Sequence, residues 1–260
     1  MEVIIITLFG LLLGSFLNVF LFRFQTGRGF WGRSYCARCA TTLNWYDLVP
    51  VLSFLLLKGR CRFCGVKISM QYPLVELTHA GLYGMVAFYF GFSGTALLLY
   101  PIMSVLLFVV VYDMRHTIIP DLASLSLAVL ALMYSFLSLP LESFVYGLLS
   151  GPFMATPFLL LFLLSKGRWM GLGDAKLAVG CGWLLMAFDP FAAVLLSFWI
   201  GAGLSVLLLL LATVFKRLKS THFPHTMKQE IPFAPYLVLG TLLVLFWDVE
   251  FFDLVQWLAF

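Results

Sequence analysis

Two aspartates stand where apolar sequence gives way to polar sequence. Asp113 ends an apolar run within "VVVYDMRHTIIPD" (109–121), and Asp174 follows two glycines in "MGLGDAKL" (170–177). Ionisable groups at membrane depth are costly and usually functional. Two carboxylates facing each other cannot both ionise comfortably and share a proton, so one can act as base toward water while the other polarises a carbonyl. That is the chemistry of aspartic peptide hydrolysis, with Asp113 and Asp174 as the expected catalytic pair. Gly171 and Gly173 are then expected to adopt backbone conformations that other residues resist and to let an extended peptide approach closely. The plainer expectation is a Gly-rich turn with Asp174 as N-cap and a helix beginning at Ala175. Asp121, after Pro120, is adequately explained as an N-cap.

A second constellation is made of sulfur. Four of the five cysteines form "CARC" (36–39) and "CRFC" (61–64), with 21 residues between the pairs. Two such pairs supply the four thiolates of a tetrahedral structural zinc site, Cys36, Cys39, Cys61 and Cys64. A thiol redox role and free thiols are the competing readings. Disulfides are disfavoured in a reducing cytoplasm. Cys181 lies among small and apolar residues and reads as packing.

The elements that carry these groups follow from composition. Of 260 residues, 62% are apolar and 11% charged, with mean hydropathy +1.03. Soluble domains carry about 25% charged residues, so the chain reads as an all-α integral membrane protein. The first apolar run has no basic n-region and is long enough to span, so no cleavable signal peptide is expected. The charge-free runs, with "GFSG" (91–94) as a turn, mark about eight transmembrane helices. They fall near 3–22, 73–91, 95–113, 121–139, 142–164, 174–188, 190–214 and 233–254. The first span is followed by a loop over 23–72 that would carry the zinc, and residues 73–260 would form a seven-helix bundle. "VPVLSFLLL" (49–57) is too short to cross and is expected on the membrane surface or against the bundle.

Charge sets the topology. All sixteen Lys and Arg fall in 23–72, 113–121, 165 to the start of the sixth helix, and 215–232. The positive-inside rule makes these segments cytoplasmic. Both termini then lie outside, and Asp113 and Asp174 meet the cytoplasmic boundary at similar depth. The first loop carries eight Lys and Arg against Asp47, which suits anionic lipid headgroups. No feature points to nucleic acid. A transporter could use the two boundary aspartates to carry protons or cations, but there is no mid-span charge or convincing inverted repeat. A quinone-coupled thiol oxidase would need its cysteines on the oxidising side.

The chain resembles the bacterial type IV prepilin peptidases, the GxGD aspartic proteases of the membrane. The resemblance rests on "GLLLGSFLNVFLFR" (10–23), both cysteine pairs, "ISMQYPLVEL" (68–77), the two aspartate segments, and "IPFAPYLVLG" (231–240), in that order. It departs in lacking a proline before and within the first cysteine pair, and in having Ala234 where members often have glycine. It implies cleavage of the basic leader of prepilins and pseudopilins after a glycine, at the cytoplasmic face of the inner membrane, in type IV pilus or type II secretion systems. It also implies methylation of the new N-terminal amine with S-adenosylmethionine, and zinc in the cysteine domain. No Gly-rich nucleotide loop follows a strand, which excludes a soluble-type methyltransferase fold. Glu76, at the membrane edge, is read either as an interfacial acid or as a group holding the amine or the donor sulfonium. Lys176, beside Asp174, either tunes the pair or snorkels to headgroups. Ser15 and Asn18 are read as helix-packing residues.

Overall fold

The computed structural model describes residues 1–24, 32–218 and 232–258. Part of the first basic loop, most of the last one, and Ile231 of the final motif therefore lie outside the described residues. Helices are the main regular elements among them, with no strands beyond two isolated bridges. The helices are α1 (Glu2–Arg23), α2 (Leu52–Leu56), α3 (Gln71–Phe90), α4 (Ala96–His116), α5 (Asp121–Ser138), α6 (Leu141–Gly147), α7 (Ser150–Ser165), α8 (Leu172–Leu184), α9 (Pro190–Leu218), α10 (Ala234–Trp247) and α11 (Phe251–Leu258). Among the described residues, five stretches are long and apolar enough to cross a membrane: α1, α4, α5, Leu141–Ser165 and Pro190–Leu207. The helices outside that set include α3, which carries Glu76 and His79, and α8, which carries Asp174 and Lys176.

The chain forms two compact units, Met1–Val111 and Tyr112–Phe260. In the first, α1 packs along α3 because glycine removes the side chain at the contact. A Cβ at Gly14 would lie 2.9 Å from the Cα of Glu76, and one at Gly10 would lie 2.7 Å from the Cβ of Tyr83. Such small-residue seams let apolar helices approach without a hydrophobic drive. His79, buried in α3, meets the Gly10 carbonyl through Nδ1 at 2.7 Å and the Ser104 hydroxyl of α4 through Nε2 at 2.9 Å. The segment expected on the membrane surface forms the short α2, with Leu55 and Leu56 exposed.

In the second unit, α8 packs against α5 and α7. A Cβ at Gly182 would fall 2.6 Å from the Ser150 carbonyl oxygen, and one at Gly180 would fall 2.9 Å from the Leu127 side chain. This close contact lies at a short interruption within Leu141–Ser165, the stretch that matches the expected span 142–164 and is built of α6 and α7. At the break, the Trp183 indole donates to the Leu148 carbonyl at 3.0 Å, and the Ser150 hydroxyl lies near the carbonyls of Gly147 and Gly182 at 2.7 and 2.8 Å. Backbone groups freed in an apolar surrounding need such partners. The expected last span also divides, at Asp248, whose φ of +50° ends α10. The next helix is started by Asp189, which accepts from the Phe251 amide at 2.8 Å with one oxygen and from Phe191 and Ala192 with the other.

Candidate active site and metal centre

The second unit contains both aspartates. Asp113 lies in the last turn of α4 and is 4% exposed; Asp174 lies in the first turn of α8 and is 9% exposed. They are close enough for direct charge interaction, although 61 residues separate them in sequence. Asp113 Oδ2 accepts from the backbone N–H of Ala234 at 3.1 Å, the first residue of α10. That amide is one of the four at a helix start with no partner inside the helix, and the positive end of the α10 dipole faces the carboxylate. Asp174 accepts from the backbone amides at the start of α8, at Gly171 and at itself. Each carboxylate is thus fixed by the N-terminus of a helix.

Several local expectations are corrected. The helix begins at Leu172 with Gly171 as N-cap, so Asp174 is inside the first turn and is not the cap. It ends at Leu184 rather than 188, and its 13 residues reach about 20 Å against a hydrocarbon core of about 30 Å. Neither glycine adopts a backbone that other residues resist: Gly171 is extended at φ −82°, and Gly173 is helical. Their smallness acts through space instead. A Cβ at Gly173 would sit 3.1 Å from Ile119, whereas at Gly171 the nearest atom would be 3.9 Å away, the Gly173 nitrogen. Asp121 is the first residue of α5 and makes no side-chain cap; it pairs with Lys176 at 2.6 Å. Lys176 is therefore directed to Asp121, in an exposed pair.

The cysteines gather in the first unit. The Sγ atoms of Cys36, Cys39, Cys61 and Cys64 all lie within 4.8 Å of one another, and those of Cys36 and Cys64 are 3.8 Å apart. A tetrahedral ion with metal–sulfur bonds of about 2.3 Å sets its ligands about 3.8 Å apart, so the cluster fits a metal ion. The two pairs are built alike. Cys36 N–H donates to Thr41 O and Ala40 N–H to Cys36 O; Cys61 N–H donates to Val66 O and Gly65 N–H to Cys61 O. Antiparallel bridges Tyr35–Thr42 and Arg60–Lys67 close the two loops. The left-handed position falls on Ala40 in one, at φ +57°, and on Gly65 in the other, at φ +68°. Hydrogen bonds from Thr41 bring the Cys39 thiol down to about 6, whereas burial and the neighbouring cysteines push the Cys64 thiol up to about 11.

Comparison with known proteins agrees with this division. Residues 8–90 match the bacterial peptidase A24 N-terminal domain, and residues 100–216 match the type IV leader peptidase family. The chain belongs to the type IV leader peptidase family. A relative from Bacillus subtilis is 33% identical over 250 residues, covering 92% of each chain. One from Pseudomonas aeruginosa is 32% identical over 268 residues, covering 92% of this chain and 88% of the relative. A third, from Burkholderia pseudomallei, is 32% identical over 227 residues, covering 86% and 70%. All three are named prepilin leader peptidase/N-methyltransferase, and nothing in the comparisons supports a transporter. No solved structure matches.

Two features of this leader peptidase family member were hidden in its sequence. "IPFAPYLVLG" carries the resemblance, but only the fold makes the Ala234 amide a partner of Asp113; Pro235, at the second helical position, is its one sequence signal. Asn18 and Glu76, on α1 and α3, share the lining of a cavity beside the cysteines. Glu76 Oε2 accepts from the Val51 amide at 2.7 Å, and Ser15 hydrogen-bonds to the same carboxylate.

Proposed function

We propose that this chain is a multi-pass aspartic endopeptidase that removes the basic leader of type IV prepilins and pseudopilins after a glycine, then methylates the new N-terminal amine using S-adenosylmethionine. The observation that carries the peptidase reading is that two buried carboxylates, from α4 and α8, lie near enough to feel each other's charge, each set against the start of a helix. One carboxylate takes a proton from a water molecule, which attacks the scissile carbonyl; the other, protonated, donates a hydrogen bond to the carbonyl oxygen. The proton then passes to the leaving amine. The Ala234 amide holds Asp113 in its rotamer through this cycle. The space at Gly171 leaves room for an extended substrate backbone, and Gly173 keeps Ile119 from being pushed away.

The chain sits in the bacterial inner membrane as about eight spans, with α3, α8 and α10 among them, both termini outside and the aspartates at the cytoplasmic face. A substrate with a basic leader and an apolar helix then presents its junction at this boundary. Zinc occupies the four-cysteine site and holds residues 23–72 in shape, without a part in hydrolysis. The basic residues of that segment suit anionic headgroups. Type IV pili and type II secretion are the systems whose substrates have this form.

The test is cleavage of a prepilin by purified enzyme in detergent. Asp113→Asn and Asp174→Asn should each lower the rate by about 10²–10⁴-fold, with metal content and folding kept. A rate near that of the parent in either variant would make that aspartate structural and end the two-carboxylate mechanism.

A further inference from the structure

The cysteine segment carries an apolar face that the described residues leave uncovered. One side of α2 is packed: Ser53, Phe54 and Leu57 line the space between the cysteine loops, α1 and α3. The Phe54 ring is tucked against Gly59, where a Cβ would fall 3.0 Å from it. The other side bears Leu52, Leu55 and Leu56, which are 53%, 64% and 73% exposed. Residues three and four apart share one face of a helix, and this face points outward because its back is held. The turn Trp45–Asp47 touches α2 and leaves the Trp45 side chain 79% exposed. Large apolar side chains massed in this way mark an interaction surface.

Three observations choose what covers it. The chain enters and leaves the cysteine segment through helices, the apolar α1 and then α3. The segment is also tied to α3 beside α2: the Val51 amide, just before α2, donates at 2.7 Å to Glu76 Oε2, in the second turn of α3. Lastly, the exposed Lys58 and Arg60 follow α2 directly. A partner that is apolar within and anionic at its edge matches leucines flanked by cations, whereas the basic leader of the proposed substrate does not. We propose that α2 docks on the membrane interface, with its three leucines and Trp45 at the headgroup–acyl boundary and Lys58 and Arg60 against anionic headgroups. The cysteine segment is then held on the membrane surface by α2 as well as by its two flanking helices. The inference rests on the membrane placement of α1 and α3 in the proposed function, and on neither its peptidase nor its methyl-transfer chemistry.

The test is photo-crosslinking from single positions of the full-length protein, reconstituted in vesicles of phosphatidylglycerol and phosphatidylcholine with tritiated acyl chains. The photoreactive residue p-benzoylphenylalanine replaces Leu55 or Leu56, one at a time, so that either position serves if the other variant fails to fold. Leu8 of α1 is the position within a span, and Lys67 of the second cysteine loop is an exposed position off the apolar face. Thermal melting checks that each protein is folded. Leu55 and Leu56 should take up tritium as Leu8 does, and about 10-fold above Lys67, since an interfacial helix buries its apolar face at the acyl boundary. In phosphatidylcholine alone their yield should fall by about 5-fold, the worth of one basic residue at an anionic surface. Leu8 without tritium would overturn the membrane placement and this docking together. Tritium at Leu8, with Leu55 and Leu56 no higher than Lys67, would leave the spans standing and overturn the docking. An adduct from Leu56 with a second copy of the chain, or with prepilin added to the vesicles, would overturn it too, since the face would then be a protein interface. Equal yields in the two lipid mixtures would refute the part given to Lys58 and Arg60.

Discussion

The cysteine loops and the aspartate pair are assembled over very different distances along the chain. Each cysteine loop is closed by hydrogen bonds between residues only a few positions apart, such as Cys36 to Thr41 and Cys61 to Val66, and the two loops repeat the same pattern. The aspartates gather across 61 residues, and the amide that fixes Asp113 lies 121 residues away. The first site needs only that two self-formed loops come together, which sets four sulfurs where they could hold a metal ion. The second needs the helices of its unit to pack first, since no local hydrogen bond would otherwise bring α4, α8 and α10 into register. Damage to one should therefore leave the other largely intact.

The sharpest way to break that contrast is to remove a metal ligand. Cys39→Ser and Cys64→Ser are each expected to abolish metal binding, read by elemental analysis, while prepilin cleavage stays within about 10-fold of the parent. Unchanged metal content would refute the four-cysteine site, and loss of cleavage equal to that of Asp174→Asn would refute the independence of the two regions. Next in size is Gly182→Val, which places side-chain carbons where the Ser150 carbonyl lies 2.6 Å from a Cβ. Overpacking of this kind costs about 1–3 kcal/mol or more. Here it should lower thermal stability and cleavage together and leave metal content unchanged.

A smaller test exploits the mismatch between the two loops. Ala40 adopts the left-handed conformation that Gly65 adopts in the other loop, at a cost of about 1–2 kcal/mol for a residue with a Cβ. Gly65→Ala should weaken metal retention against a chelator, and Ala40→Gly should strengthen it; identical retention would mean the metal alone sets the backbone. The smallest effect is expected at the exposed Lys176–Asp121 pair, which is 50% and 79% exposed at its two side chains. Lys176→Ala should change stability by no more than about 1 kcal/mol and cleavage by a few-fold at most. A large loss of cleavage with stability kept would give Lys176 a part in the aspartate site after all.

The sequence by itself determined the class of molecule, because runs of apolar residues can satisfy their backbone in a membrane only as helices or closed barrels. It also determined the cysteine site, since both pairs and their turns are local. It named both aspartates from their setting at the ends of apolar runs. The tertiary structure decided what holds them: the start of α10 on Asp113, the turn of α8 that puts Asp174 inside the helix, and the diversion of Lys176 to Asp121. It also decided where helices are interrupted, at Leu148 and Asp248, because those interruptions depend on partners such as Trp183 and Asp189 from other parts of the fold. The Asn18–Glu76 cavity likewise came only with the fold. A helix period shows which residues share a face, but the neighbour that face meets is set by packing, and for α1 and α3 the packing turns on the missing side chains at Gly10 and Gly14.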